Sequence, residues 1–131
     1  MTDRKLIDMA AEAMSHSYSP YSGFSVGAAI ECTDGTVYTG CNIENASYGA
    51  TICAEAAAAS SAVSAGKRKF KRIAIASGGG AYCFPCGSCR QILSEFSQDM
   101  EVLCARSDGR YVSYPLAALL PMAFSKEQMD D

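Results

Sequence analysis

The feature that most constrains the fold is the order in which the hydrophobic period changes along the chain. Apolar residues recur at helical spacing through residues 2–16 (Leu6, Ile7, Met9, Ala10, Ala13, Met14), with Thr2 or Asp3 as cap. Pro20 and Gly23 in SYSPYSGF break that pattern. Two strands are predicted next, at 25–32 and 36–41, joined by TDG, whose Asp34-Gly35 pair is a strong hairpin signal. A helix over 53–65 follows, with Gly66 in the position that ends helices. The apolar run FKRIAIAS, 70–77, reads as a strand, 89–97 as a third helix with Ile92, Leu93 and Phe96 on one face, and 101–105 as a strand. A turn at 107–110, a strand at 111–113 and a short helix at 115–120 complete the series, and the acidic tail is expected to fray. Hairpin, helix, strand, helix, strand describes an α/β sandwich, a sheet with helices on both faces.

A chain of 131 residues, 49% apolar and 19% charged, suffices for one hydrophobic core, so a single domain over 1–131 is expected. Fourteen acidic residues against eleven basic ones leave a charge of -3, which argues against nucleic acid as a partner. The basic run KRKFKR, 67–72, reads as a solvated loop before a strand rather than a phosphate site. No apolar stretch approaches the roughly 20 residues that span a bilayer, so no membrane partner is expected. The first residues, MTDRKLIDMAAEAM, carry acids and lack the apolar core of a signal peptide. A cytoplasmic location is the expectation.

Seven cysteines are many for a reducing compartment, and metal ligation is the favoured use for some of them. Cys86 and Cys89 in PCGSC have the spacing that lets two thiolates reach one zinc ion at about 2.3 Å, although a lone CxxC also suits redox chemistry. Cys53 stands at another predicted helix start, with Glu55 two residues on. Two helix amino termini would favour three ionised thiols, and three ligands leave the fourth zinc position open, as catalytic sites do. Cys83 as a fourth ligand would instead make a closed structural site and leave Glu55 without a role. Glu55 beside the open position could take a proton from an activated water and hand it on; the plainer role is to complement the helix dipole. His16 reads as a helix-end or surface residue.

At CAE (53–55) and PCGSCRQ (85–91) the sequence resembles the cytidine deaminase family, in its compact all-cysteine form. The resemblance extends over nearly the whole chain: PYSGFSVGAA is similar to the family's first strand, GCNIENASYG to its ribose loop and LLPMAF to its closing motif. It implies a three-layer α/β/α sandwich with a mixed five-stranded sheet. It also implies one zinc ion per subunit on Cys53, Cys86 and Cys89, with Glu55 moving a proton from water to N3 and then to the leaving amino group. Phe24 would pack on the pyrimidine, Asn42 and Glu44 would bind the sugar hydroxyl and neighbouring polar groups, and the Ala54 N–H and the carbonyl of Ser88 or a neighbour would grip the base edge. Ala46, Tyr48 and Phe124 would be offered across subunit interfaces, so a homotetramer with shared sites is implied. The expected reaction converts cytidine and 2′-deoxycytidine to uridine and 2′-deoxyuridine, as in pyrimidine salvage.

One position departs from the pattern. Many all-cysteine members carry an arginine directly after CAE, where this chain has Ala56. Arg90 and the two helix dipoles are the remaining candidates for offsetting the charge of three thiolates. The vacated volume at Ala56 suggests tolerance of modified cytidines. The glycines at 78–80 are read as turn formers rather than a substrate lid. The rival readings are a blasticidin-type deaminase, which should lack the ribose loop, a zinc-stabilised binding module, which would not need Glu55, and a redox protein.

Overall fold

In the computed structural model, residues 1–130 are described. Four helices and five strands alternate as α1 (Asp3–Met14), β1 (Val26–Cys32), β2 (Val37–Cys41), α2 (Ala54–Ser64), β3 (Phe70–Ser77), α3 (Gly87–Ser94), β4 (Glu101–Ala105), β5 (Tyr111–Pro115) and α4 (Leu116–Leu119). The strands form one sheet in the order β2-β1-β3-β4-β5. Only β3 and β4 pair in parallel; the other three pairings are antiparallel, so the sheet is mixed as expected. A parallel pair needs a crossover, and α3 supplies it.

Because side chains alternate across a strand, the sheet has two apolar faces. Ala29, Ala74, Ala76, Leu103 and Ala105 meet Leu6, Ile7 and Ala10 of α1. Ala28, Ile30, Ile73, Ile75 and Val102 meet Ala58 and Ala62 of α2, Leu93 of α3 and Leu116 of α4. The result is a three-layer α/β/α sandwich. Ile30, Ile73 and Ile75 are completely buried, each contributing about 1.5–3 kcal/mol of transfer free energy.

The expected boundaries hold for β3 and β4 and shift elsewhere for local reasons. Thr2 caps α1, its hydroxyl accepting from the Lys5 N–H at 3.1 Å. The β1–β2 hairpin closes through a three-residue loop: the Cys32 N–H bonds the Thr36 carbonyl, and Gly35 takes φ +89°, a value glycine adopts without steric cost. Helix α3 starts at Gly87, two residues before the expected start, because Cys86 is its N-cap, and it closes at Ser94 rather than 97. Strand β5 runs two residues further than expected, to Pro115; an edge strand tolerates proline, which lacks the ladder N–H. The tail does not fray at 126–129: it forms a 3₁₀ turn held by a reciprocal Ser125–Gln128 capping box. Asp131 lies outside the described residues.

Two glycines set the helices onto the sheet. A Cβ on Gly27 would lie 2.0 Å from the Ala10 carbonyl oxygen of α1, and one on Gly40 would lie 2.5 Å from the Ala58 nitrogen of α2. Both helices therefore press backbone to backbone against the hairpin. Arg72 on β3 joins α1 to β1, with Nη1 2.5 Å from Asp3 and Nε 2.5 Å from Glu31. Among the described residues no helix is long and apolar enough to cross a membrane.

Candidate active site

The amino termini of α2 and α3 meet on the same side of the sheet. Cys53 is the N-cap of α2, Cys86 the N-cap of α3, and Cys89 lies in the first turn of α3. Cys53 makes no side-chain capping bond, whereas the Cys86 sulfur accepts from the Cys89 N–H, so first-turn N–H groups lie beside the sulfurs. Cys53 Sγ and Cys86 Sγ are 3.9 Å apart, and the sulfurs of all three cysteines lie within 4.8 Å of one another. Three soft donors at the positive ends of two helices fit a thiophilic ion that takes three protein ligands and keeps one position for another. Among the described residues, Cys83 does not join this group. Burial pushes its thiol up to about 11.

The thiols do not titrate alike. Burial, with the neighbouring Cys86 next, raises Cys53; burial, with the Glu55 charge next, raises Cys89 well above the ordinary thiol value. Cys86 is also opposed by desolvation, yet the Cys89 N–H and the Cys89 and Cys53 thiols hydrogen-bond it and bring it below the ordinary value. Cys86 is thus the most readily ionised of the three thiols, and a divalent ion would supply the charge that three thiolates need. Glu55, in the first turn of α2, is only 5% exposed. Burial raises its carboxyl, against hydrogen bonds from its own N–H and from Cys89. A carboxyl in that state exchanges a proton nearer neutral pH than a solvated one.

Beyond the thiols, the predicted outer residues fall into two sets. Phe24, Asn42, Glu44 and Tyr48 gather around the turn that precedes β1. Asn42 is buried; its Oδ1 accepts from the Val26 N–H at 2.9 Å and from the Ser17 hydroxyl, and its Nδ2 donates to the Phe24 carbonyl at 2.8 Å. Glu44 accepts from the N–H groups of Tyr21 and Ser22 at 2.9 and 3.1 Å and from the Ser22 hydroxyl. These bonds, the Ser22 hydroxyl foremost, hold its carboxyl below the ordinary value. A cleft of about 250 Å³ opens here, lined by Tyr21, Ser22, Glu44, Asn45, Tyr48 and Thr51. The rings of Tyr21 and Tyr48 meet edge to face at 5.9 Å. Ala54 opens α2 beside Cys53, so its N–H is one of the first-turn donors.

Ala46 and Phe124 make up the second set, and both are exposed on the chain's surface. The Phe124 carbonyl accepts from Gln91 of α3 at 2.9 Å. Arg90 does not bond a thiol: its Nε donates to the Pro85 carbonyl at 2.8 Å and its Nη1 to the Leu119 carbonyl at 2.9 Å. It thereby ties the residue before Cys86 to the end of α4. Ala56 is half-buried on α2. Sequence reasoning missed Ser17, Ser22 and Gly79. The serines announce themselves in SYSPYSGFS only as a spacing with no helical or strand period. Gly79 lies beside the Phe24 ring, where a Cβ would come within 3.3 Å of its edge.

Fold and site together define a class: a small α/β sandwich with a three-thiol cluster that could hold a metal and a buried acid at two adjoining helix ends. Residues 1–105 match the family described as "Cytidine and deoxycytidylate deaminase zinc-binding region". A cytidine deaminase of Sporosarcina psychrophila is 45% identical over 130 residues, 98% of this chain and 96% of that one. One of Halalkalibacterium halodurans is 42% identical over the full length of both. The crystal structure of cytidine deaminase from Burkholderia pseudomallei superposes with a TM-score of 0.91 at 42% identity, covering 95% of this chain and all of that one. The chain belongs to the cytidine and deoxycytidylate deaminase family.

Proposed function

We propose that this protein, a single domain over 1–131, is a zinc-dependent hydrolase. It deaminates cytidine and 2′-deoxycytidine to the uridines, releases ammonia and serves pyrimidine salvage in the cytoplasm. The observation that carries the reading is the buried Glu55 carboxyl in the first turn of α2, next to three sulfurs gathered within 4.8 Å. Cys53, Cys86 and Cys89 would hold one zinc ion per subunit. Zinc held there supplies Lewis-acid activation of water.

The chain's own residues do the rest. Glu55 accepts the proton of the attacking water and delivers it to N3 as oxygen adds at C4. It then carries a second proton to the amino group, which leaves as ammonia. Burial supports this role, because a carboxyl raised toward neutrality both takes and gives protons. The free Ala54 N–H and the Ser88 carbonyl at the helix ends orient the base edge. Phe24 covers the pyrimidine, and Asn42 and Glu44 take the sugar. The intact loop Asn42, Ile43, Glu44, Asn45 supports an ordinary nucleoside over a nucleoside antibiotic.

The exposed Tyr48 and Phe124 support a homotetramer in which neighbouring subunits complete each site. Ala56 supports tolerance of N4-substituted cytidines. The experiment follows the ultraviolet change on incubation with cytidine, deoxycytidine and N4-substituted analogues, with and without chelator. A Glu55→Gln protein should keep its zinc and lose about 10²- to 10⁴-fold in kcat. Retained activity in that variant, or none in the zinc-loaded wild type, overturns the reading.

A further inference from the structure

Counting hydrogen-bond valences around the turn before β1 leaves a remainder of one donor and one acceptor. An ionised carboxylate offers about four acceptor sites, two on each oxygen. On Glu44, Oε1 takes the Tyr21 and Ser22 N–H groups and Oε2 takes the Ser22 hydroxyl, so a single site on Oε2 is left. The Asn42 amide has two acceptor sites and two N–H groups. Its Oδ1 is filled by the Val26 N–H and the Ser17 hydroxyl, and one hydrogen of Nδ2 goes to the Phe24 carbonyl. The Val26 N–H can only donate and the Phe24 carbonyl can only accept, which fixes the orientation of the amide. One N–H of Asn42 is left.

Both side chains grip the same residue. The Phe24 carbonyl is held by Asn42, and the Phe24 N–H donates to Ser22 Oγ at 3.0 Å while that hydroxyl donates to Glu44. The Phe24 backbone is thus fixed at both of its polar groups. The serine segment continues inward, with Ser17 3.3 Å from Ser19 and Ser19 3.1 Å from Ser25.

We propose that Ser22 and Ser17 are positioning residues that occupy the surplus acceptor sites of Glu44 and Asn42, leaving one donor and one acceptor matched to a single sugar hydroxyl. A hydroxyl can accept one hydrogen bond while donating another, so this remainder suits it. This inference rests on the nucleoside reading above.

The test compares cytidine with 2′,3′-dideoxycytidine, which lacks both ring hydroxyls, on wild type, Ser22→Ala, Ser22→Thr and Ser17→Ala. The wild-type ratio of kcat/KM for the two substrates reports the sugar contact itself. Ser22→Ala should raise KM for cytidine by roughly 10-fold with kcat within about twofold, the scale of one hydrogen bond to a charged group. Its kcat/KM for dideoxycytidine should stay near that of wild type. Ser22→Thr, which keeps the hydroxyl, should recover most of the loss, and Ser17→Ala should show the same selective loss as Ser22→Ala. Equal losses on both substrates, or no rescue by threonine, would mean the serines merely support the fold and would overturn the proposal. A wild type that processes cytidine but does not distinguish the two substrates overturns it by removing the sugar contact. A wild type that processes neither overturns the nucleoside reading first.

Discussion

Gly40 of β2 lies directly beneath Ala58 of α2: a Cβ on the glycine would fall 2.5 Å from the Ala58 nitrogen and 2.8 Å from the Ala54 carbonyl oxygen. Two of the three atoms in the way are backbone and the third is the Ala57 Cβ at 2.8 Å, none of which can swing aside as the end of a long side chain can. The approach places the first turn of α2, with Cys53 and Glu55, at a fixed height above the sheet. Gly40→Ala should therefore lift that turn, at a cost of about 1–3 kcal/mol from overpacking. Urea denaturation would read the loss of stability, and the same protein should retain zinc less well. Unchanged stability and zinc content would show that α2 can shift freely over β2.

Arg90 holds the loop that presents Cys86. Its guanidinium donates to the carbonyls of Pro85 and Leu119, bonds that join the residue before Cys86 to α4. Arg90→Gln should cost about 1.5–3 kcal/mol, the range for hydrogen bonds from a charged donor. It should also hasten zinc loss to a competing chelator. Lysine should rescue poorly, because a point charge cannot serve two carbonyls as the planar fork does. Full rescue by lysine would point to charge alone as the contribution of Arg90.

Metal removal should change which thiols react. In the zinc-loaded protein the half-buried Cys41 should be the readily alkylated thiol at pH 8, because Cys32 and Cys104 are buried and Cys83 and Cys104 are pushed up to about 11 and 12 by burial. After chelation the exposed Cys86 should react next, followed by the half-buried Cys53. Peptide mapping of the alkylated sites gives the order. A Cys86 that labels at the same rate with and without zinc would remove it from the ligand set.

The hairpin turn carries a pH-dependent tie. Lys67 Nζ lies 2.7 Å from Asp34 Oδ2, and this bond, with those from the Thr36 hydroxyl and N–H, holds the Asp34 carboxyl well below its ordinary value. A carboxyl lowered by folding contributes stability above its unfolded pKa and loses that contribution as pH falls through its folded one. Asp34→Asn should thus melt below wild type at pH 7, and the gap should shrink under acid conditions. Melting curves from pH 7 downward measure it. A gap that stays constant to low pH would show that the charge contributes nothing.

The local elements and the chemistry available to the site were legible in the order of residues. The Asp34-Gly35 hairpin signal, the apolar run 70–77, capping residues and Gly66 marked strands and helix ends, and the CxxC spacing with Cys53 and Glu55 marked the three thiols and the acid. Those signals are local, since they depend on neighbours three or four residues away. Where local context was weaker, boundaries slipped: α3 starts at Gly87 because Cys86 serves as its cap, and the tail forms a capped 3₁₀ turn.

That α2 and α3 bring their ends together follows from folding, since residues 53 and 86 are joined by packing against one sheet rather than by any spacing. Tertiary structure alone also directed Arg90 to two carbonyls and used Ser17 and Ser22 to fill valences on Asn42 and Glu44. A side chain's partner is set by what the fold brings within about 3 Å of it. The thiols and acid could be read as letters; the hydroxyls that complete the site could be read only once the chain had folded around them.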